Sequence, residues 1–230
     1  MDSNDEYEKL LIRKKLLIFD FDGTLANTSK FHAKAFSQIL NPLGLIVDYS
    51  SIAGMKTRDA ICECLKNSNV KLSHKEIEFF VLEKQKIARN MIGTMLEPIP
   101  GVDEFIHWAK DRFQLGIVTS GSNATVSIAL GKLGYKDYFD PFICADNVDC
   151  SKPNPSGFLL AVKLSGYEKS DCLIFEDSDN GVEAAKRADI SVIDVRKQSF
   201  STLVELISQG KGCKKCKKIS TDVLYVVVVI

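Results

Sequence analysis

Residues 16–27 read LLIFDFDGTLAN. Leu16, Leu17, Ile18 and Phe19 form an unbroken apolar run, long enough for one buried strand, and two acids and Gly23 close it. In an extended segment, side chains two apart project to the same side. Asp20 and Asp22 therefore face one place at the carboxyl end of the strand, which is where open α/β sheets hold their ligands. Like charges this close are costly unless a cation or a shared proton relieves them. Asp and Gly are also ordinary turn residues, so the stretch by itself also fits a plain acidic turn.

Beyond Thr24 the apolar pattern changes to a helical period. Ser29 to Leu40 places Phe31, Ala35, Phe36, Ile39 and Leu40 on one face, and Asn41-Pro42 stops it. Thr57 to Lys66 repeats the pattern with Ala60, Ile61, Cys64 and Leu65. Ser73 with Glu76 three residues on is a capping-box signature, and it opens a helix whose stripe is Ile77, Phe80, Val81, Ile87 and Met91. No strand pattern interrupts residues 27–97, which read as an all-helical insert. Pro98 and Pro100-Gly101 mark the return. The order then becomes helix (Val102 to Phe113), strand (Leu115 to Val118), helix (Ala124 to Leu133), strand (Phe142 to Cys144) and helix (Pro155 to Ser165). Strand Leu173 to Phe175, helix Val182 to Ala188 and strand Ser191 to Val195 follow, with a last helix over Phe200 to Ser208. Such alternation predicts an α/β fold: a Rossmann-like three-layer core with a mainly parallel sheet. That core takes in residues 1–26 and 98–230, and the helical insert at 27–97 sits beside the two carboxylates, where a lid belongs.

The whole chain bounds the partners. Thirty basic and thirty acidic residues cancel, which gives no global pull toward nucleic acid or an anionic membrane. The apolar run behind the N-terminus is short and broken by Asp20, so it is neither a signal peptide nor a membrane span. Seven scattered cysteines do not form a disulfide framework and point to free thiols in a reducing cytoplasm. Cys213-x-x-Cys216 offers two thiolates where a structural zinc takes four ligands, so it reads as unpaired thiols in a basic tail (residues 211–218). The Val-rich run at 223–230 is too short for a bilayer and reads as an edge or interface strand. Monomer and homodimer stay equally open.

Three later segments match the first in kind. The strand ending at Val118 runs into Thr119-Ser120-Gly121-Ser122-Asn123, hydroxyls and backbone N–H groups in a tight turn that suit an oxyanion. Ser151-Lys152-Pro153-Asn154-Pro155 presents a cation on a backbone stiffened by prolines. Leu173-Ile174-Phe175 ends in Glu176-Asp177, oxygen donors of the kind Mg²⁺ takes. Each alone has an ordinary explanation as a cap, a surface lysine or a solvated turn. In this order on one sheet they are the parts for phosphoryl transfer: nucleophile, acid/base, oxyanion contacts, cation and metal.

With DFDGTL, IVTSGS, SKPNP and FEDSDNG in this order between about Leu16 and Val195, the sequence resembles the haloacid dehalogenase superfamily. Within it, the chain is similar to the group with a helical cap inserted after the first motif, which includes phosphoglycolate phosphatases and β-phosphoglucomutases. The resemblance implies that Asp20 is the nucleophile forming an aspartyl-phosphate and that Asp22 is the general acid/base, its backbone carbonyl on Mg²⁺. It implies that Thr119, with Ser120, and Lys152 hold the phosphoryl group. Asp20, Asp22 and Asp177 are implied as the metal set, with Glu176 acting through a water. Dehalogenases proper lack the second Asp, so Asp22 speaks for phosphate chemistry.

On the insert, His32 lies where several capped relatives carry His. Lys56 and Arg58 lie in Gly54-Met55-Lys56-Thr57-Arg58, which resembles the cap loop that meets the substrate. The mutases of the group have Gly-x-x-Arg, and here Arg58 comes one position later. His74 and His107 read as structural or solvent-exposed residues. The expectation is a Mg²⁺-dependent phosphohydrolase of a small organic phosphate monoester, a sugar phosphate or a phosphoglycolate-like metabolite. A phosphosugar mutase is the alternative, and a non-catalytic binding protein is the more distant one.

Overall fold

The computed structural model describes residues 11, 13–66 and 68–210. The basic cluster at 211–218, the Cys213 and Cys216 pair and the run at 223–230 lie outside the described residues.

Among the described residues five strands form one parallel sheet in the order β3-β2-β1-β4-β5: β1 (Leu16–Phe19), β2 (Gln114–Val118), β3 (Phe142–Ile143), β4 (Cys172–Glu176) and β5 (Ser191–Asp194). β1 lies at the centre, pairing in register with β2 through Leu16–Gln114 and with β4 through Leu16–Cys172. The chain builds outward on one side of β1, then crosses to the other side. That reversal opens a crevice at the carboxyl ends of β1, β2 and β4, the place where such sheets bind ligands.

Strand alternation sorts the core into two faces. Leu17 and Phe19 of β1, with Leu173 and Phe175 of β4, point into one apolar cluster. Helices α5 (Val102–Ala109), α6 (Asn123–Leu133) and α9 (Phe200–Gly210) cover that face. Leu16, Ile18, Cys172 and Ile174 point the other way, under α7 (Ser156–Ser165) and α8 (Asp179–Ala188). The result is three layers. Directly behind the site the packing is aromatic: Phe19 stacks on Phe175 at 4.8 Å and meets Phe105, Phe139 and Phe200 between 6.1 and 6.3 Å.

Between β1 and α5 the described residues form helices and turns: α1 (Ser29–Leu40), the short α2 (Tyr49–Ile52), α3 (Thr57–Lys66) and the long α4 (His74–Met95). They pack around their own apolar cluster, which includes Phe36, Leu40, Ile52 and Ile61. The capping box is formed, with Glu76 accepting from the Ser73 N–H at 2.7 Å and Ser73 accepting from the Glu76 N–H at 3.4 Å. The chain leaves and re-enters the core at adjacent points, the Asn27 N–H donating to the Glu97 carbonyl at 3.3 Å.

Element ends moved where side chains intervene. α5 stops at Ala109, short of the expected Phe113, because Arg112 turns back to donate to the Trp108 carbonyl at 2.6 Å. α8 starts at Asp179, three residues early, because Ser178 caps it by accepting from the Gly181 N–H at 3.0 Å. The sequence pattern passed over α2, a single turn capped by Asp48 accepting from the Ser50 N–H. Among the described residues no helix is long and apolar enough to cross a membrane.

Phe19 touches both halves of the aromatic wall and has no exposed surface. Phe19→Ala is therefore expected to lower unfolding free energy by about 3–5 kcal/mol in a denaturant titration; a loss under 1 kcal/mol would mean that the wall closes over the gap.

Candidate active site

Asp20 follows β1 directly, Thr119 follows β2, and Glu176 ends β4, so parallel pairing alone brings all three to one edge. Lys152 arrives from the loop before α7. Its Nζ donates to Asp20 Oδ1 at 2.6 Å, to Glu176 Oε2 at 2.7 Å and to the Val118 carbonyl at 3.0 Å. All three side chains are buried. Burial works against the Lys152 charge, yet the Asp20 and Glu176 carboxylates together hold its pKa above the ordinary lysine value.

Asp20, Glu176 and Asp177 each offer a carboxylate oxygen, all within 4.8 Å of one another. Burial and then Glu176 push Asp20 well above the usual carboxylate range, against the pull of Lys152. The same two causes push Asp177 up to about 7. One lysine does not balance three acids, and every donor is a hard oxygen. This is a donor set that fits a divalent cation such as Mg²⁺.

The backbone is tight here. Gly23 has φ +97°, and a Cβ on it would lie 2.1 Å from Asp177 Oδ2. A Cβ on Gly181 would lie 1.9 Å from the Glu176 carboxyl carbon. Only glycine lets the first turn of α8 rest on that carboxylate. Glu176 is fully engaged: beside Lys152, it accepts from the Ser178 N–H at 3.1 Å and the Ser178 hydroxyl at 2.8 Å. Its evident work is holding the lysine and the β4–α8 turn.

Asp22 sits in a different environment. Its Oδ1 accepts from Thr28 Oγ1 at 2.6 Å and meets His32 Nε2 at 2.9 Å. Behind His32, Nδ1 lies 2.8 Å from Lys84 Nζ. An ammonium only donates, so Nδ1 accepts, and the ring proton on Nε2 donates to Asp22. Burial opposes the Asp22 charge, but His32 and Thr28 outweigh it and hold Asp22 at about 2. Two carboxylates two residues apart are thus set in opposite directions.

Lys84 is the residue that sequence reasoning missed. It lies on α4 in the middle of the apolar stripe, buried, with its Nζ 4.4 Å from the Phe36 ring centre. A lysine between Val81 and Ala88 on a buried face was the available signal. His32, singled out from sequence, does reach the site.

A pocket open to solvent lies between the insert and the sheet edge. Asp20, Asp22, Asp177, His32 and Lys84 border it, with Tyr49, Thr57 and Gln85 from the insert. The Ser120–Ser122 turn lines it too, but the Ser120 hydroxyl donates to the Gly54 carbonyl at 2.5 Å. Thr119 and Lys152 border a smaller cavity alongside, shared with Ser120 and Lys56. Two insert residues expected at the substrate are engaged elsewhere. Lys56 donates to the Val148 and Asp149 carbonyls, and Arg58 pairs with Glu78 on α4. His74 and His107 are exposed, as expected.

Residues 17–195 match the family model described as haloacid dehalogenase-like hydrolase. The fructose-1-phosphate phosphatase YqaB of Escherichia coli (strain K12) is 32% identical over 184 residues, 78% of this chain and 95% of that protein. A phosphorylated carbohydrates phosphatase of Thermotoga maritima is 29% identical over 77% of this chain and 82% of its own length. Among solved structures, the β-phosphoglucomutase of Clostridium difficile shares the fold with a TM-score of 0.71 at 22% identity, over 85% of this chain and 98% of that one.

The buried Lys84 gives a test of the site's electrostatics. Burial lowers its pKa from 10.5 to about 8, with Asp22 pulling the other way. Between these values the unfolded chain holds a proton that the folded chain has lost, so stability rises with pH from 8 to 10.5. Below pH 8 the charged, buried lysine costs roughly 3 kcal/mol. Wild-type stability in urea is expected to gain on that of Lys84→Met across that window, and parallel curves would contradict the assignment. From the motif order, the engaged acids and these relatives, the chain belongs to the haloacid dehalogenase-like hydrolase family, as a phosphatase.

Proposed function

We propose that the enzyme is a Mg²⁺-dependent phosphohydrolase that cleaves a small sugar-phosphate monoester through an aspartyl-phosphate on Asp20. The observation that carries the reading is the buried Asp20–Lys152 pair beside Asp177, with Asp20 and Asp177 bordering the pocket under the insert. The names of the two phosphatase relatives, acting on fructose 1-phosphate and on phosphorylated carbohydrates, support the substrate class.

Asp20 attacks phosphorus, and the ester oxygen leaves. Lys152 spreads positive charge over the attacking carboxylate and the incoming phosphoryl group, the kind of fixed complementarity that dominates phosphoryl transfer. Asp22 donates a proton to the leaving oxygen and then takes one from water. Its contacts with Thr28 and His32 fix its direction and favour the carboxylate form that receives the proton from water, the proton given to the next leaving oxygen being the one so received. Thr119 and the N–H groups of the turn after β2 receive phosphoryl oxygens. Asp20, Asp177 and the Asp22 carbonyl would hold Mg²⁺, with Glu176 behind them, and the ion would neutralise charge on the phosphoryl oxygens. Residues 27–97 serve as the cap. They cover the site and keep bulk water from the reacting atoms.

The insert also bears on the mutase alternative. The Gly-x-x-Arg pattern of the resembling mutases would place arginine at Thr57, which borders the pocket. Arg58, one position on, pairs with Glu78 instead. The cap position that the pattern gives to arginine is thus uncharged here, which bears against the mutase reading.

Phosphate release from a panel of sugar phosphates, phosphoglycolate and nucleotides tests the reading. Activity is expected with Mg²⁺ and not with chelator, with a sugar phosphate in front. Asp20→Asn is expected to lose turnover by more than about a thousandfold at unchanged melting temperature. Near-normal activity in that variant would refute the covalent mechanism. Conversion of a sugar phosphate to its isomer, dependent on a bisphosphate and without phosphate release, would instead identify a mutase.

A further inference from the structure

Lys56 is the insert residue whose engagement the hydrolytic reading leaves unexplained. It immediately precedes α3, and Asp59 lies three residues on, so the two side chains share one face of the first turn. Both reach across to the core, to one loop. Lys56 Nζ donates to the Val148 carbonyl and, at 3.3 Å, to the Asp149 carbonyl, while Asp59 Oδ2 accepts from the Ser151 hydroxyl. The next residue along that loop is Lys152. Lys56 and Lys152 also border the same small cavity, with Ser151 and Thr119.

The neighbouring segment of the insert is held too, but by other loops. The Gly54 carbonyl accepts from Ser120, and the Ala53 carbonyl accepts from Asn180 Nδ2 at 2.8 Å. Those contacts seat the insert on the turn after β2 and the first turn of α8. The Lys56–Asp59 pair does something distinct: a cation on two carbonyls and an acid on the following hydroxyl fix the backbone direction of residues 148–151 from outside.

We propose that Lys56 and Asp59 are positioning residues for Lys152, which is held in its working place only while the insert is closed on the core. The inference rests on the reading of Lys152 given above. An ammonium group that must sit between Asp20, Glu176 and the Val118 carbonyl tolerates little displacement of its own backbone, since misplacement of the order of 1 Å costs about a hundredfold in rate. Closing the insert and completing the charge arrangement are then one event.

Amide hydrogen exchange and steady-state kinetics on the full chain, for Lys56→Met, Lys56→Arg and Asp59→Asn, test this. Amides of residues 148–154 and of 53–59 are expected to exchange faster together in Lys56→Met. Its kcat should fall about tenfold or more at unchanged melting temperature. Lys56→Arg, which can still donate to both carbonyls, should recover most of the loss, and Asp59→Asn should weaken the same loop from the other side. Unchanged exchange at 148–154 would overturn the proposal, as would a raised KM with kcat retained, which assigns the pair to closure alone. Lys152→Met is the control: if it keeps turnover, the reading of the site fails, whatever Lys56 does.

Discussion

The buried ammonium of Lys152 is the interaction on which the rest of the structure depends. A lysine with almost no exposed surface is expensive to bury unless it is paired and fully hydrogen-bonded. Here two carboxylates and one carbonyl take its three donors. These acceptors come from the ends of β1, β4 and β2, the three central strands of the sheet. The charge therefore requires the sheet order, and the sheet order requires the charge, because Asp20 and Glu176 without it would be two buried acids facing each other. Gly181 and Gly23 follow from the same constraint, since the turns carrying Glu176 and Asp177 must approach closer than any Cβ allows.

A second buried lysine governs the other carboxylate. Lys84, His32 and Asp22 form a line running from the insert to the core, and it sets Asp22 low while Asp20 and Asp177 are set high. Carboxylates whose environments drive them apart are suited to different chemical tasks. The separation is not local to the motif. It is imposed mainly by His32 on α1 and in smaller part by Lys84 on α4, so Asp22 keeps this environment only while the insert is in place.

How far the sequence was legible follows from what each signal measures. The three strand-end motifs were readable because apolar runs and the polar residues that end them are contiguous, and parallel pairing then brings them together without further information; Lys152 was readable from the prolines that flank its loop. The helical insert was readable from its period and from Ser73 and Glu76. Lys84 was not, because lysine is ordinarily a surface residue and its partners lie on another helix. Arg58 was assigned to the pocket by its neighbourhood, yet Glu78, twenty residues on, claims it. Lys56, expected to face the substrate, donates to the Val148 and Asp149 carbonyls. In each case the missing information was a pairing between groups distant along the chain, which no local pattern encodes.

The hydrogen bond between Asn27 and Glu97 has a consequence for how such a molecule can vary. A segment that departs and returns through neighbouring residues imposes almost no geometric demand on the sheet that carries it. The core sees only two adjacent chain ends, whatever lies between them. Its reactive groups, backed by the aromatic wall of Phe19, Phe175, Phe105 and Phe200, can stay fixed while the intervening seventy or so residues are lengthened, shortened or reshaped. The molecule is built as a socket and an exchangeable fitting, so the groups at the sheet edge can stay while those that face them from the insert change.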